Sequence, residues 1–214
     1  MFKAIIKTQW KWTRLAVLAC VTAAFALPLL SLASASESPN ARGFIWTMQG
    51  WGVAYALLAA ALGLLIAVLA WNSDHRGHHV YALSLPVPRW RYVLLRFGAG
   101  LLFLLPPVVA LGASALIVSG NHAIPAGLHA YPFALTLRFA FAALVAFAVF
   151  FAISAATRRA AGYVLGMIAA VIVADVLTSA AGMQTQILAH AIDLVIATPG
   201  LLSVFNGRWM LIDV

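Results

Sequence analysis

Residues 43–73 read GFIWTMQGWGVAYALLAAALGLLIAVLAWNS, thirty-one positions without an Asp, Glu, Lys or Arg. A bilayer core of about 30 Å is crossed by about 20 apolar residues in a helix. A stretch of this length is a long membrane span, centred on residues 48–71. Three further uncharged stretches repeat the pattern: 15–36, 97–137 and 139–157. The first and last hold one span each. The run 97–137 exceeds one span, and its tail carries Pro125, Gly127 and Pro132, which mark a loop. One span therefore covers residues 93–119, with a kink expected at Pro106–Pro107, and the next begins near Phe133. A fifth covers residues 163–181. Backbone groups in lipid must be satisfied within the segment, and no period-2 alternation suggests a barrel, so these runs are helices.

Composition agrees. The chain has 214 residues, is 64% hydrophobic and 8% charged, against about 25% charged in a soluble domain. Soluble enzymes, disordered chains and disulfide scaffolds are excluded; the single cysteine, Cys20, admits no intrachain disulfide. The expectation is an all-α, polytopic helical membrane protein: a single transmembrane domain over residues 1–214 with five transmembrane helices.

The thirteen basic residues outnumber five acidic ones. Lys3, Lys7, Lys11, Arg14, Arg76, Arg89, Arg91, Arg158 and Arg159 fall on one side of this layout, and Arg42, Arg138 and Arg208 on the other. The basic surplus therefore reports topology, with the N-terminus cytoplasmic in an inner or plasma membrane, and not a nucleic-acid partner. Arg96 and Arg138, near span ends, are expected to snorkel to the headgroups. Trp10, Trp12, Trp46, Trp51, Trp71 and Trp90 border the spans as an aromatic belt. Ala33-Ser34-Ala35 resembles a signal-peptide cleavage site. The apolar run before it is longer than an h-region of about 7–15 residues, so a retained anchor is expected.

The tail divides into two readings. Gln186, His190 and Asp193 share one helical face, and Thr198-Pro199-Gly200 breaks the helix. Residues 184–205 read as outer interfacial helices, or as an atypical sixth span. A mid-span carboxylate costs about 2.5–3.5 kcal/mol on insertion scales, which favours the interfacial reading.

The chemistry-bearing segment is residues 72–91. Residues 79–85 allow two helical turns, ended by Pro86 and Pro88, with Arg89, Trp90 and Arg91 at the start of the next span. Asp74, then Tyr81-Ala82-Leu83-Ser84-Leu85-Pro86-Val87-Pro88-Arg89-Trp90, resembles the permease subunits of ABC-2 type transporters. That family has an acidic residue after span 2, then a Gly-Thr-like pair and a Leu-Leu-Ser-Leu-Pro-Val-Ser-Arg segment. His78-His79 departs from the pair, and the family's sixth span is missing or atypical here.

The resemblance implies a coupling segment that docks on a separate ATP-binding cassette subunit, through Asp74, His79, Tyr81, Leu83, Ser84, Leu85, Pro86 and Arg89. It implies a second permease subunit, as a homodimer or with a paralogue. ATP and Mg would belong to the partner, with no cofactor, metal or catalysis in this chain; no phosphate-loop motif is present. The alternative is a non-transport helical membrane scaffold or assembly factor.

Two single features complete the reading. His75, His78 and His79 beside Asp74 lack metal-ligand spacing and read as a polar loop. Asp175, within the fifth span, is a candidate for the translocation path, weighed against a shallow position that reaches headgroups or a neighbouring helix.

Overall fold

The computed structural model describes residues 2–38, 40–76, 88–120, 124–125, 127–156, 160–180, 200–206 and 209–213. Its helices are α1 (Phe2–Ser36), α2 (Ala41–Arg76), α3 (Arg89–Ser119), α4 (Pro132–Ala156) and α5 (Ala160–Ala180). A 3-10 turn, Leu201–Phe205, follows. Two short strands, β1 (His129–Ala130) and β2 (Ile212–Asp213), pair antiparallel.

Local chemistry sets several helix boundaries. Asn40 caps α2, its Oδ1 accepting from the Gly43 N–H at 2.7 Å. Pro88 precedes α3, and its carbonyl accepts from Arg91 and Tyr92. Gly120 ends α3, its N–H donating to Leu116 O. Pro132 opens α4, a position where its missing N–H costs nothing. Pro106 and Pro107 lie inside α3 without ending it.

Four helices, α1 to α4, are long and apolar enough to cross a membrane. The expected count was five. The fifth expected span is a helix, α5, but its described apolar part is Gly162–Asp175, ~21 Å at 1.5 Å per residue, short of a core of about 30 Å.

The four long helices form a ring in the order α1, α2, α4, α3. α1 and α3 run parallel: Trp10 stacks on Phe103 with ring centroids 5.9 Å apart, and Ser114 Oγ donates to Phe25 O at 2.6 Å. α2 and α4 also run parallel, closest at Gly63. A Cβ there would lie 2.6 Å from both Ala146 Cβ and Phe147 N. Gly100 likewise admits the Phe147 ring beside α3.

α1 meets α2 through a seam of hydroxyls. Ser31 Oγ donates to Pro28 O, so Tyr55 Oη is the donor in the 3.1 Å bond between Tyr55 and Ser31. Trp51 Nε1 donates to Ser34 Oγ at 2.7 Å, and Ser38 pairs with Thr47. Of the small residues that resemble a processing site, Ala35 is fully buried and Ala33 is exposed.

The all-α expectation omits one feature at the end of the bundle where α4 begins. Leu128 N–H donates to Pro125 O across a turn whose Gly127 has φ +90°, where glycine is favoured. β1 follows and pairs with β2, and Tyr131 N–H donates to Leu211 O at 2.8 Å. Trp209, Leu211 and Ile212 are buried, and the Trp209 carbonyl passes Gly52 so closely that a Cβ there would lie 2.9 Å away.

Arg138 holds this strap. Its guanidinium lies 4.7 Å over the Trp209 ring and donates to Val204 O and Asn206 O. Arg138, expected to snorkel, meets backbone carbonyls of the returning chain. The 3-10 turn and β2 therefore lie at the same end as Arg138 and Gly52. Residues 181–199, which hold the expected amphipathic face, lie outside the described residues.

Two outcomes follow. Gly63→Leu is expected to lower stability by about 1–3 kcal/mol through overpacking, whereas Gly98→Ala, with nothing near its Cβ, leaves the unfolding midpoint in detergent unchanged or higher. Arg138→Gln, by removing charged hydrogen bonds of about 1.5–3 kcal/mol, is expected to speed limited proteolysis within 200–213 by about tenfold or more.

Candidate functional site

The residues singled out from the sequence lie on and around the connection between α2 and α3. Its described parts are the end of α2 and the start of α3 from Pro88. His79, Tyr81, Leu83, Ser84, Leu85 and Pro86 lie outside the described residues, as does His78. Arg89, Trp90 and Arg91 are exposed on the first turn of α3, with the Arg91 guanidinium 5.2 Å over the Trp90 ring.

Asp74, expected at the docking surface, faces the bundle. It is 3% exposed and forms a salt bridge with Arg96 at 2.9 Å. Arg96 is also 3% exposed. It does not snorkel: one turn further along α3 than Tyr92, it points across the ring of helices to α2. Its Nη1 donates to Ala70 O at 2.6 Å as well as meeting Asp74. Tyr92 Oη sits 3.0 and 2.9 Å from the two Asp74 carboxylate oxygens and shares its single proton between them. Each charge is thus held by its counter-ion and by at least one further polar group.

Aromatic rings close the site. The Arg96 guanidinium lies 5.3 Å from the Trp71 ring and 5.2 Å from the Tyr92 ring, within cation–π range. Trp71 Nε1 donates to Phe151 O at 3.2 Å, and its ring packs on the Phe151 ring. Phe97 and Phe147 complete the cluster against Phe151. Trp71, read as an interfacial tryptophan, is buried because its indole N–H has a carbonyl partner on α4.

The geometry has a physical consequence. α2 and α3 stand diagonally in the ring, and Ala70 and Asp74 meet Tyr92 and Arg96 at this end. The end of α2 and the first turns of α3, which flank the segment 77–87, are therefore joined by a buried ion pair. Removing one partner of such a pair leaves an uncompensated charge costing about 3–5 kcal/mol, while the intact pair adds little net stability. The arrangement suits a rigid mechanical joint.

Asp74 is engaged by Arg96 and Tyr92, and among the described residues no three His, Cys, Asp or Glu side chains come together. Asp175 lies on α5, half-buried, in a helix whose described side chains are mostly exposed. Arg96 was missed as a site residue. Its i+4 spacing from Tyr92 places both on one helical face, and that spacing was the available signal. No family model matches the chain, and neither a curated protein nor a solved structure does.

Asp74→Ala is expected to lower unfolding stability by about 3–5 kcal/mol, and the Asp74→Ala, Arg96→Leu double variant to lose less than either single change. A double loss equal to the sum of the two singles would show that the charges are not coupled.

Proposed function

We propose that this chain is the membrane-spanning subunit of an ABC-2 type transporter. It couples ATP hydrolysis on a separate ATP-binding subunit to substrate movement, in the direction of export. The supporting sequence pattern is the acid at Asp74 followed by Tyr81–Trp90 and a basic span start. The observation that carries the reading is the buried clamp of Asp74, Tyr92 and Arg96 at the foot of that segment.

A coupling segment must pass displacement to the helices on both sides of it. A flexible joint would absorb the motion within the loop. Here α2 and α3 are tied at the loop's two ends by a charge pair that is costly to break, so a push on the segment is delivered to both helices together. Energy enters only through contacts that differ between the nucleotide states of the partner. The exposed Arg89 and Arg91 on the first turn of α3 suit contact with that partner. ATP and Mg belong to the ATP-binding subunit, and this chain performs no covalent step. A second permease subunit, identical or paralogous, completes the pathway.

Orientation follows from charge. The end carrying Lys3, Lys7, Lys11, Arg14, Arg89 and Arg91 faces the cytoplasm of an inner or plasma membrane. On this orientation α4 ends inside, while the strap held by Arg138 lies outside. The chain must therefore return across the membrane between residues 156 and 200. The candidate for that fifth crossing is α5: its apolar part alone is too short, but the whole helix of 21 residues is ~31 Å long, and it carries Asp175 toward the outer half as a candidate lining residue.

The test takes as partner an ATP-binding cassette protein whose gene neighbours this one, and the lack of any such gene counts against the reading. Arg89→Glu combined with Leu83→Ala and Leu85→Ala is expected to lower that protein's retention in a pull-down by about tenfold, a loss of ~1.4 kcal/mol, with the unfolding midpoint unchanged. Undiminished retention would remove the docking role.

A further inference from the structure

The outward face of α1 carries a pattern that the coupling role does not use. Lys3, Lys7, Lys11 and Arg14 recur at i, i+4, i+8 and i+11, which places them on one helical face. All four are exposed. The buried positions of the same turns, Ile5, Gln9 and Thr13, lie on the opposite side, against the bundle. The basic stripe therefore points away from the protein.

Its depth is set by contacts with α3. The stacking of Trp10 on Phe103 and the bond from Ser114 to Phe25 O hold α1 in register with its parallel neighbour. Phe103 lies twelve residues beyond Arg91, ~18 Å along the helix. Arg91 is the last exposed charge on α3, because Arg96 is buried. From Leu94 onward the exposed large residues of α3 are apolar: Leu94, Leu102, Leu105 and Val109. Lys7, Lys11 and Arg14 flank Trp10 and stand beside the exposed apolar surface of α3.

Four charges at this level need a negative complement. Among the described residues no acid lies at this level. Asp74 is occupied by Arg96, Glu37 and Asp213 lie toward the opposite end, and Asp175 is past the midpoint of α5. A second copy brings no described exposed acid to this level either. The same face of α1 then becomes apolar: Leu18 and Phe25, seven and fourteen residues beyond Lys11, are 54% and 39% exposed. A basic stretch followed by an apolar one matches a phospholipid of the nearer leaflet, phosphate first and acyl chains beyond.

We infer that the outward face of α1 is a binding site for an anionic phospholipid, with the phosphate held by Lys7, Lys11 and Arg14 and the acyl chains lying along Leu18 and Phe25. The site stands on the register of α1 against α3 and is independent of the transporter reading.

The full chain, purified in neutral detergent, is titrated with phosphatidylglycerol or phosphatidylcholine and binding is read by native mass spectrometry. Phosphatidylglycerol is expected to be preferred, with the preference falling about fivefold for each charge removed in Lys7→Gln, Lys11→Gln and Arg14→Gln. Arg42→Gln, at the opposite end, leaves it unchanged. Equal binding of both lipids, or an equal loss with Arg42→Gln, overturns the site. Displacement of phosphatidylglycerol by soluble glycerol 3-phosphate overturns the lipid assignment in favour of a free-phosphate site. On the unmodified chain, photoactivatable phosphatidylglycerol is expected to label residues 3–25, and labelling confined to α4 or α5 overturns the proposal without requiring any variant to fold.

Discussion

The ion pair between Asp74 and Arg96 organises the bundle around it. Two charges withdrawn from water carry a desolvation cost of several kcal/mol each, repaid only when counter-ion and hydrogen bonds are all in place. That demand dictates the neighbours: a tyrosine hydroxyl on the carboxylate, the Ala70 carbonyl on the guanidinium, and two aromatic rings against its faces. Trp71 then reaches Phe151 O and brings α4 into the same cluster. A pair joining two helices thus ties together three. It also joins the diagonal of the ring, a direction that apolar packing between adjacent helices leaves unconstrained.

The opposite end of the bundle is built by different means. Neutral hydroxyls and one indole stitch α1 to α2, each such bond between membrane helices being worth about 0.6 kcal/mol on average. The returning chain supplies carbonyls to Arg138 and a strand to β1. One end is a charged joint sealed by aromatic rings, and the other is a hydroxyl seam capped by a strap. This asymmetry suits a molecule in which force enters at one end. It also shows how few charges the interior uses: with only 8% charged residues in the chain, one acid and one base are committed to a single contact.

The long helices were legible from the amino-acid sequence because lipid leaves no alternative. Backbone groups without water must bond within the segment, so uncharged runs of this length are helices regardless of what they pack against. Pro125, Gly127 and Pro132 marked the loop and the start of α4 for equally local reasons, a turn that needs positive φ and a helix start that tolerates a missing N–H. The segment around Asp74 also stood out locally, through its prolines, its charges and its resemblance to a transporter family.

The roles of Arg96, Arg138 and Trp71 were not legible, because position along a helix does not say which neighbour the side chain meets. An arginine near a span end reads as a headgroup contact until a carboxylate on another helix, or the carbonyls of a segment some seventy residues away, comes within reach. The β1–β2 pair, joining residues 129–130 to 212–213, leaves no local trace either, since each strand is only two residues long. Composition and periodicity therefore determined that this chain is a helical membrane protein and which stretches form its long helices. The tertiary structure decided that its scarce charges are joined across the bundle, because only the folded ring of helices brings Asp74 and Arg96 together out of water.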